Sequence, residues 1–289
     1  MTFRRVVGWL GILAAFAGVA AAADEALAEA HKLYNSTHFE ESLKVLQAIP
    51  SKDGPVYELM GRNYFMQSDF KRASDALEKA VAWEPSNADY MLWLGRAWGR
   101  RAETSSPFTA PVYASKARQC FEKSVQLNPT NLDAQSDLFE YYLDAPGILG
   151  GGLDKAEHTA QRMTQLSPAE GQWAQAKLAE KRKESKTAEA HLRQAVALAP
   201  QQVGKLLELA RFLTKQGRYQ EADQDFERAE KVAPNSPRVV FARASTYVEA
   251  RRNLDVAREL LKRYMSMDLN PEDPPKSEAA KLLRQAQGG

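Results

Sequence analysis

The stretch Asp144–Glu157, DAPGILGGGLDKAE, places four glycines and a proline within the seven positions 146–152. Glycine-rich turns cradle phosphates when a strand leads in and a Lys-Ser/Thr pair follows the last glycine, because backbone N–H groups then converge on the anion. Here Gly152 is followed by Leu153 and Asp154, and the Asp154 carboxylate would repel a phosphate. His31, His38, His158 and His191 are scattered, with no two at metal-ligand spacing on one helix. The sequence contains neither a G-x-S-x-G elbow nor an H-E-x-x-H pair. Cys120 stands alone, so no internal disulfide is possible, and beside Phe121 it reads as a small packed side chain. Carboxylates such as Glu180 and Glu184 lie beside Lys181 and Lys183, as solvated helix-surface pairs do. These residue types supply no catalytic set, no metal site and no cofactor cradle, so the chain reads as a non-enzyme.

The elements around the glycines follow from backbone cost. An interior proline costs about 3 kcal/mol in a helix and each glycine about 1 kcal/mol relative to alanine. The helix that begins near Leu132 must therefore end by about Asp144. The next opens around Leu153, with Asp154 in the first turn, where a carboxylate favours the positive end of the helix dipole. The glycine stretch is a stretched turn between two helices.

Elsewhere the chain repeats itself. The segment GRYQEADQDFERAEKVAP carries Gly217, Tyr219, Ala222, Phe226, Ala229 and Pro234, and LLELARFLTKQ before it sets Leu206, Leu209, Ala210 and Leu213 on one helical face. The frame small-x3-large-x2-small-x4-Pro recurs as Ala73, Leu77, Ala80, Pro85 and as Ala117, Phe121, Ser124, Pro129. It returns as Ala156, Ala160, Met163, Pro168 and as Ala188, Leu192, Ala195, Pro200, with weaker copies at Ser42, Leu46, Ile49 and at Ala257, Leu261, Tyr264. Small residues on the first helices, Gly61, Gly95, Ala210 and Ala244, permit close helix approach, and the prolines set where one hairpin passes into the next. The 34-residue unit from Val203 to Ser236 closely resembles the tetratricopeptide repeat (TPR).

That resemblance implies an all-α fold: a mostly right-handed α-solenoid of about seven tandem helix–turn–helix repeats. Their expected bounds are 24–53, 54–87, 88–131, 132–168, 169–202, 203–236 and 237–270. A polar capping helix, residues 271–289, would follow the breaks at Pro271, Pro274 and Pro275. Successive second-helix anchors, Ser42 to Ala257, are spaced 31, 44, 39, 32, 34 and 35 residues apart. The two long gaps fall in GRRAETSSPFTAPVYASKA and in the glycine stretch, where extra residues are expected to become loops. A lip formed by these loops, with Pro146, Gly147, Gly150, Gly151 and Gly152 in the second, is a candidate binding edge.

The first 23 residues read as a secretory signal peptide. Arg4 and Arg5 precede an uncharged run from Val6 to Ala23 that ends in alanines. Cleavage would leave a chain beginning near Asp24, exported to the periplasm or secreted; an uncleaved anchor in the inner membrane is the alternative. Removing the leader leaves 37 basic and 37 acidic residues. A neutral chain gives no electrostatic reason to expect a nucleic acid or an anionic membrane as partner.

In TPR arrays the first helices line the concave face. The resemblance therefore places Arg62, Arg96, Lys177 and Arg211 there, with Arg100, Lys181 and Lys215 a turn later, Phe65 and Trp173 as apolar members, and Glu58 and Glu140 interrupting. The functional expectation is a protein–protein interaction scaffold of the bacterial envelope that holds an acidic or carboxylate-bearing segment in this groove. Leu27 and His31 stand where the chaperone-binding subtype carries its carboxylate clamp, so that activity is not expected. The phrase APGILGGGLDKA is similar to a segment of TPR proteins of bacterial envelopes, including the component associated with TRAP transporters. An alternative is therefore a periplasmic small-ligand receptor serving a transporter, oligomeric, with the two-loop lip covering a pore or groove. The sequence leaves partner identity and oligomeric state open.

Overall fold

The computed structural model describes residues 22–288. The signal-peptide reading falls almost wholly on residues 1–21 and lies outside them. Among the described residues, regular structure is entirely helical. A first helix, α1, covers residues 22–35. It is followed by α2 (Phe39–Ala48), α3 (Gly54–Met66), α4 (Phe70–Trp83), α5 (Ala88–Thr104) and α6 (Ala110–Leu127). Then come α7 (Leu132–Asp144), a one-turn 3₁₀ helix (Gly147–Leu149), α8 (Leu153–Leu166), α9 (Pro168–Lys181), α10 (Ser185–Leu198), α11 (Val203–Lys215), α12 (Tyr219–Val232), α13 (Pro237–Glu249), α14 (Leu254–Met265) and α15 (Lys276–Gln287). The chain forms two compact units, the first ending at Leu127 and the second beginning at Asn128.

In both units the packing rests on the recurring frame. All 21 frame residues, three for each of the seven second helices with Ile49 just past the end of α2, are buried. The small residues of the first helices meet the large ones of the frame: a Cβ on Gly61 would lie 2.4 Å from Leu77 Cγ, and one on Gly95 2.6 Å from Phe121 Cε1. Two frame positions use serine for its hydroxyl. Ser42 Oγ donates to the Ala30 carbonyl (2.8 Å) and Ser124 Oγ to that of Ala88 (2.8 Å), tying each second helix back to its own first helix. In the first unit α4 packs on α5, and in the second α8 packs on α9 and α10 on α11. Within each unit, successive hairpins thereby cover one another's apolar sides.

Five hairpins close with the same turn. At Thr37, Ser68, Lys183, Gly217 and Arg251 the backbone is left-handed, with φ of 61°, 61°, 61°, 75° and 50°. Each of these N–H groups donates to the carbonyl three residues back, and the following N–H to the carbonyl five back, as in His38 to Leu33 and Arg218 to Leu213. This is the Schellman closure of a helix C-terminus. The two hairpins without it are the two with long spacings.

Those two spacings are resolved differently. The expectation of a loop in the first is largely corrected: α5 runs 17 residues and α6 18, against 13 and 14 for α3 and α4, leaving only residues 105–109 between them. Arg100 to Glu103 are good helix formers and continue α5. The added turns are held by Tyr113 stacked on Trp98 (5.3 Å between centroids) and by Arg101, which donates to Ser74 Oγ (2.8 Å) and Tyr113 OH (3.0 Å). In the second, α7 ends at Asp144 and α8 opens at Leu153 as expected, with the short 3₁₀ turn between them. At the C-terminus α15 packs on α14, burying Ala279 and Ala286 and half-burying Leu282 and Leu283.

Candidate interaction surfaces

The glycine turn is built to close on itself. The N–H groups of Leu149 and Gly151 donate to Pro146 O, Gly150 N–H to Gly147 O, and Gly152 N–H to Tyr142 O. Tyr141 OH adds a bond to Leu149 O (2.9 Å), and Lys155 Nζ caps Gly150 O (2.9 Å). Four consecutive N–H groups, those of residues 149–152, are thus already spent within the turn. The glycines answer to sterics: Gly150 is left-handed (φ 87°), and a Cβ on Gly151 would lie 1.9 Å from Ala145 O. The apex side chain, Ile148, is 91% exposed. Phe108, in the connection 105–109, is 92% exposed. The two loops belong to different units.

On the first-helix face of the first unit, Trp93 gathers three of the sequence-expected residues. The Arg62 guanidinium lies over its ring (4.5 Å), Arg96 lies over it as well (5.0 Å), and Phe65 meets it edge-on (5.6 Å). Arg62 also covers Tyr34 (5.0 Å) and pairs with buried Glu58 (3.2 Å). Arg100 lies over Phe70 (5.2 Å) and pairs with Glu103 on the surface. Stacked guanidinium groups on a half-buried indole form a rigid amphipathic surface. Trp93, the centre of this cluster, was not among the residues singled out from the sequence.

In the second unit three of the expected cations are engaged with carboxylates. Lys177 pairs with Glu208 (2.8 Å), Arg211 with the same Glu208 (2.9 Å), and Lys181 with Asp144 (2.9 Å). Lys205, not expected here, pairs with Glu170 (2.6 Å). Burial would raise the Glu208 carboxyl, but Lys177 and Arg211 more than offset it and hold it below the ordinary range. The sequence did carry a signal for two of these pairs: Lys177 and Glu208 stand 31 residues apart, and Glu170 and Lys205 35 apart, close to one repeat. A groove of about 600 Å³ runs past Trp173, Glu140, Glu170, Lys205 and Glu208. A second, of about 500 Å³, is lined by Arg211, Lys215, Tyr219, Phe241 and Leu282. Lys177 and Lys205 both lie over the Trp173 ring, at 5.9 and 5.5 Å.

A family model described as a tetratricopeptide repeat matches residues 206–236, the span of α11 and α12. That segment is a TPR. Two solved structures extend the TPR likeness at the level of fold. A tetratricopeptide repeat protein from Parabacteroides merdae superposes with a TM-score of 0.57 at 14% identity, covering 92% of this chain and 99% of its own. A thermophilic TPR protein of Thermus thermophilus gives 0.52 at 18% identity, covering 70% and 100%. No curated protein matches the sequence. The TPR fold is a general scaffold for protein–protein interaction. Among the described residues, no three His, Cys, Asp or Glu side chains are grouped to hold a metal ion, and no helix is long and apolar enough to cross a membrane. Burial pushes the Cys120 thiol up to about 12, so it is not a nucleophile at neutral pH.

Proposed function

We propose that this chain is a non-catalytic scaffold of the bacterial envelope, exported by its first 23 residues, that holds a partner polypeptide along the first-helix faces of its repeats. The observation that carries the reading is the Trp93 cluster: a half-buried indole flanked by Arg62, Arg96 and Phe65, an anchor of the aromatic–arginine kind that dominates interface energetics. An acidic partner segment fits this face, where Arg100 lies over Phe70 and pairs with an exposed Glu103 on its own helix. A surface pair of that kind contributes at most about 1 kcal/mol and yields readily to a better acceptor.

The test is photo-crosslinking in the native cell, with the probe residue at Arg100 or, as a control on a second helix, at Glu227. The scaffold reading expects one protein captured from position 100 and little from position 227. Equal capture from both positions would end it. Intact mass of the exported chain checks the leader, and retention of residues 1–23 would rule out cleavage.

A further inference from the structure

The groove past Trp173 differs in charge from the face around Trp93, and the difference names a partner chemistry. Its carboxylates are Asp133, Glu140, Glu170 and Glu208, against Lys205 and Arg238. Glu170 and Glu208 are committed to cations within the same wall. Glu140 is not: it makes no ion pair with any described lysine or arginine. Around it stand Asp137, Asp144 and Glu208, with Lys177 the nearby cation, itself held by Glu208 at 2.8 Å. Asp144 is tied to Lys181. Burial, and then Asp137, hold the Glu140 carboxyl above the ordinary carboxylate range. Beside Glu140 an incoming anion would have to displace Glu208 from Lys177 and Arg211, whereas an incoming cation would meet a carboxylate without an ion pair; Arg238, the lining cation that could receive an anion, belongs to α13 and not to this side of the groove. The Trp173 ring of the same groove lies under the ammonium groups of Lys177 and Lys205, each held by a carboxylate of the wall, and offers the stem of a visiting side chain an apolar surface.

Resting on the scaffold reading above, we propose that the groove between α7, α9 and α11 docks an extended polypeptide segment through a lysine or arginine side chain set between Glu140 and Trp173. The carboxylates are not grouped as metal ligands, which separates the site from a cation-binding centre. The groove is open along the helices, which suits a chain more than a free amine.

The test uses the purified full chain and two fluorescein-labelled dodecapeptides of serine and glycine, one carrying three lysines and the other three glutamates. The lysine peptide should bind at least about tenfold more tightly by fluorescence anisotropy, and should weaken as salt is raised. Glu140→Gln should weaken it about fivefold without any loss of thermal stability, since no internal pair is lost, and Glu140→Lys should abolish it. Equal or tighter binding of the glutamate peptide, or an unchanged affinity in Glu140→Gln, overturns the inference. Binding of neither peptide also overturns it. The crosslinking result from position 100 is independent of both, so the scaffold reading can stand while this one falls.

Discussion

Gly61→Ala puts the close approach of α3 and α4 to a direct test. The new Cβ would sit 2.4 Å from Leu77 Cγ and 3.0 and 3.1 Å from its two methyls. Carbon atoms pack at about 3.5–4.0 Å, so the two helices must part by roughly 1 Å or Leu77 must leave its rotamer. Leu77 is fully buried and has nowhere to turn. Overpacking of this kind costs about 1–3 kcal/mol, against a gain of about 1 kcal/mol from replacing a mid-helix glycine. The net expectation is a loss of up to about 2 kcal/mol. The decisive measurement is the same substitution in a Leu77→Ala background. Leu77→Ala alone should cost about 2–5 kcal/mol, but it removes the obstructing atoms. There Gly61→Ala should stabilise by about 1 kcal/mol, reversing its sign. Urea titrations followed by circular dichroism would read all four proteins. A loss of the same size in both backgrounds would mean that the glycine is not there to admit Leu77.

Three further outcomes are expected. Gly151→Ala should open the glycine turn, because its Cβ would lie 1.9 Å from a backbone oxygen; hydrogen exchange at the amides of residues 149–152 should quicken while the frame residues stay protected. Glu140→Gln should stabilise the chain at pH 7 by less than about 1 kcal/mol. The folded state holds the Glu140 proton more tightly than the unfolded one, so this residue's penalty appears as pH rises above the ordinary value of 4.5 and vanishes below it. Melting curves of both proteins at pH 4 and pH 7 would show it, and an equal gain at both would be inconsistent with a titration effect. Cys120 should react with iodoacetamide at pH 8 far more slowly than a free thiol, in keeping with a pKa pushed up to about 12, and a rate matching free cysteine would contradict its burial.

The helical frame was legible because burial at a fixed spacing is a property of one helix. Ala222, Phe226 and Ala229 announce a buried stripe without reference to anything else, and the same holds in the other six copies. The end of α7 and the start of α8 were legible because proline and glycine act locally. Two things were not. The fate of the first long spacing depended on the helix propensity of Arg100 to Glu103 and on Tyr113 reaching back to Trp98, which the proline at 107 obscured. The charge of the faces depended on partners one repeat away: Lys177 reads as a free donor until Glu208 is placed beside it. Trp93 escaped for the same reason, since its role comes from Arg62 on the preceding first helix.

The left-handed closures leave a margin that the protein does not use. Thr37, Ser68, Lys183 and Arg251 occupy a conformation that only Gly217 adopts freely, and a side chain there costs on the order of 1 kcal/mol. Robustness to heat could therefore be raised residue by residue at the hairpin bends, while every group on the first-helix faces stays untouched. Durability and recognition are written in separate places along this chain, and one can be re-engineered without consulting the other.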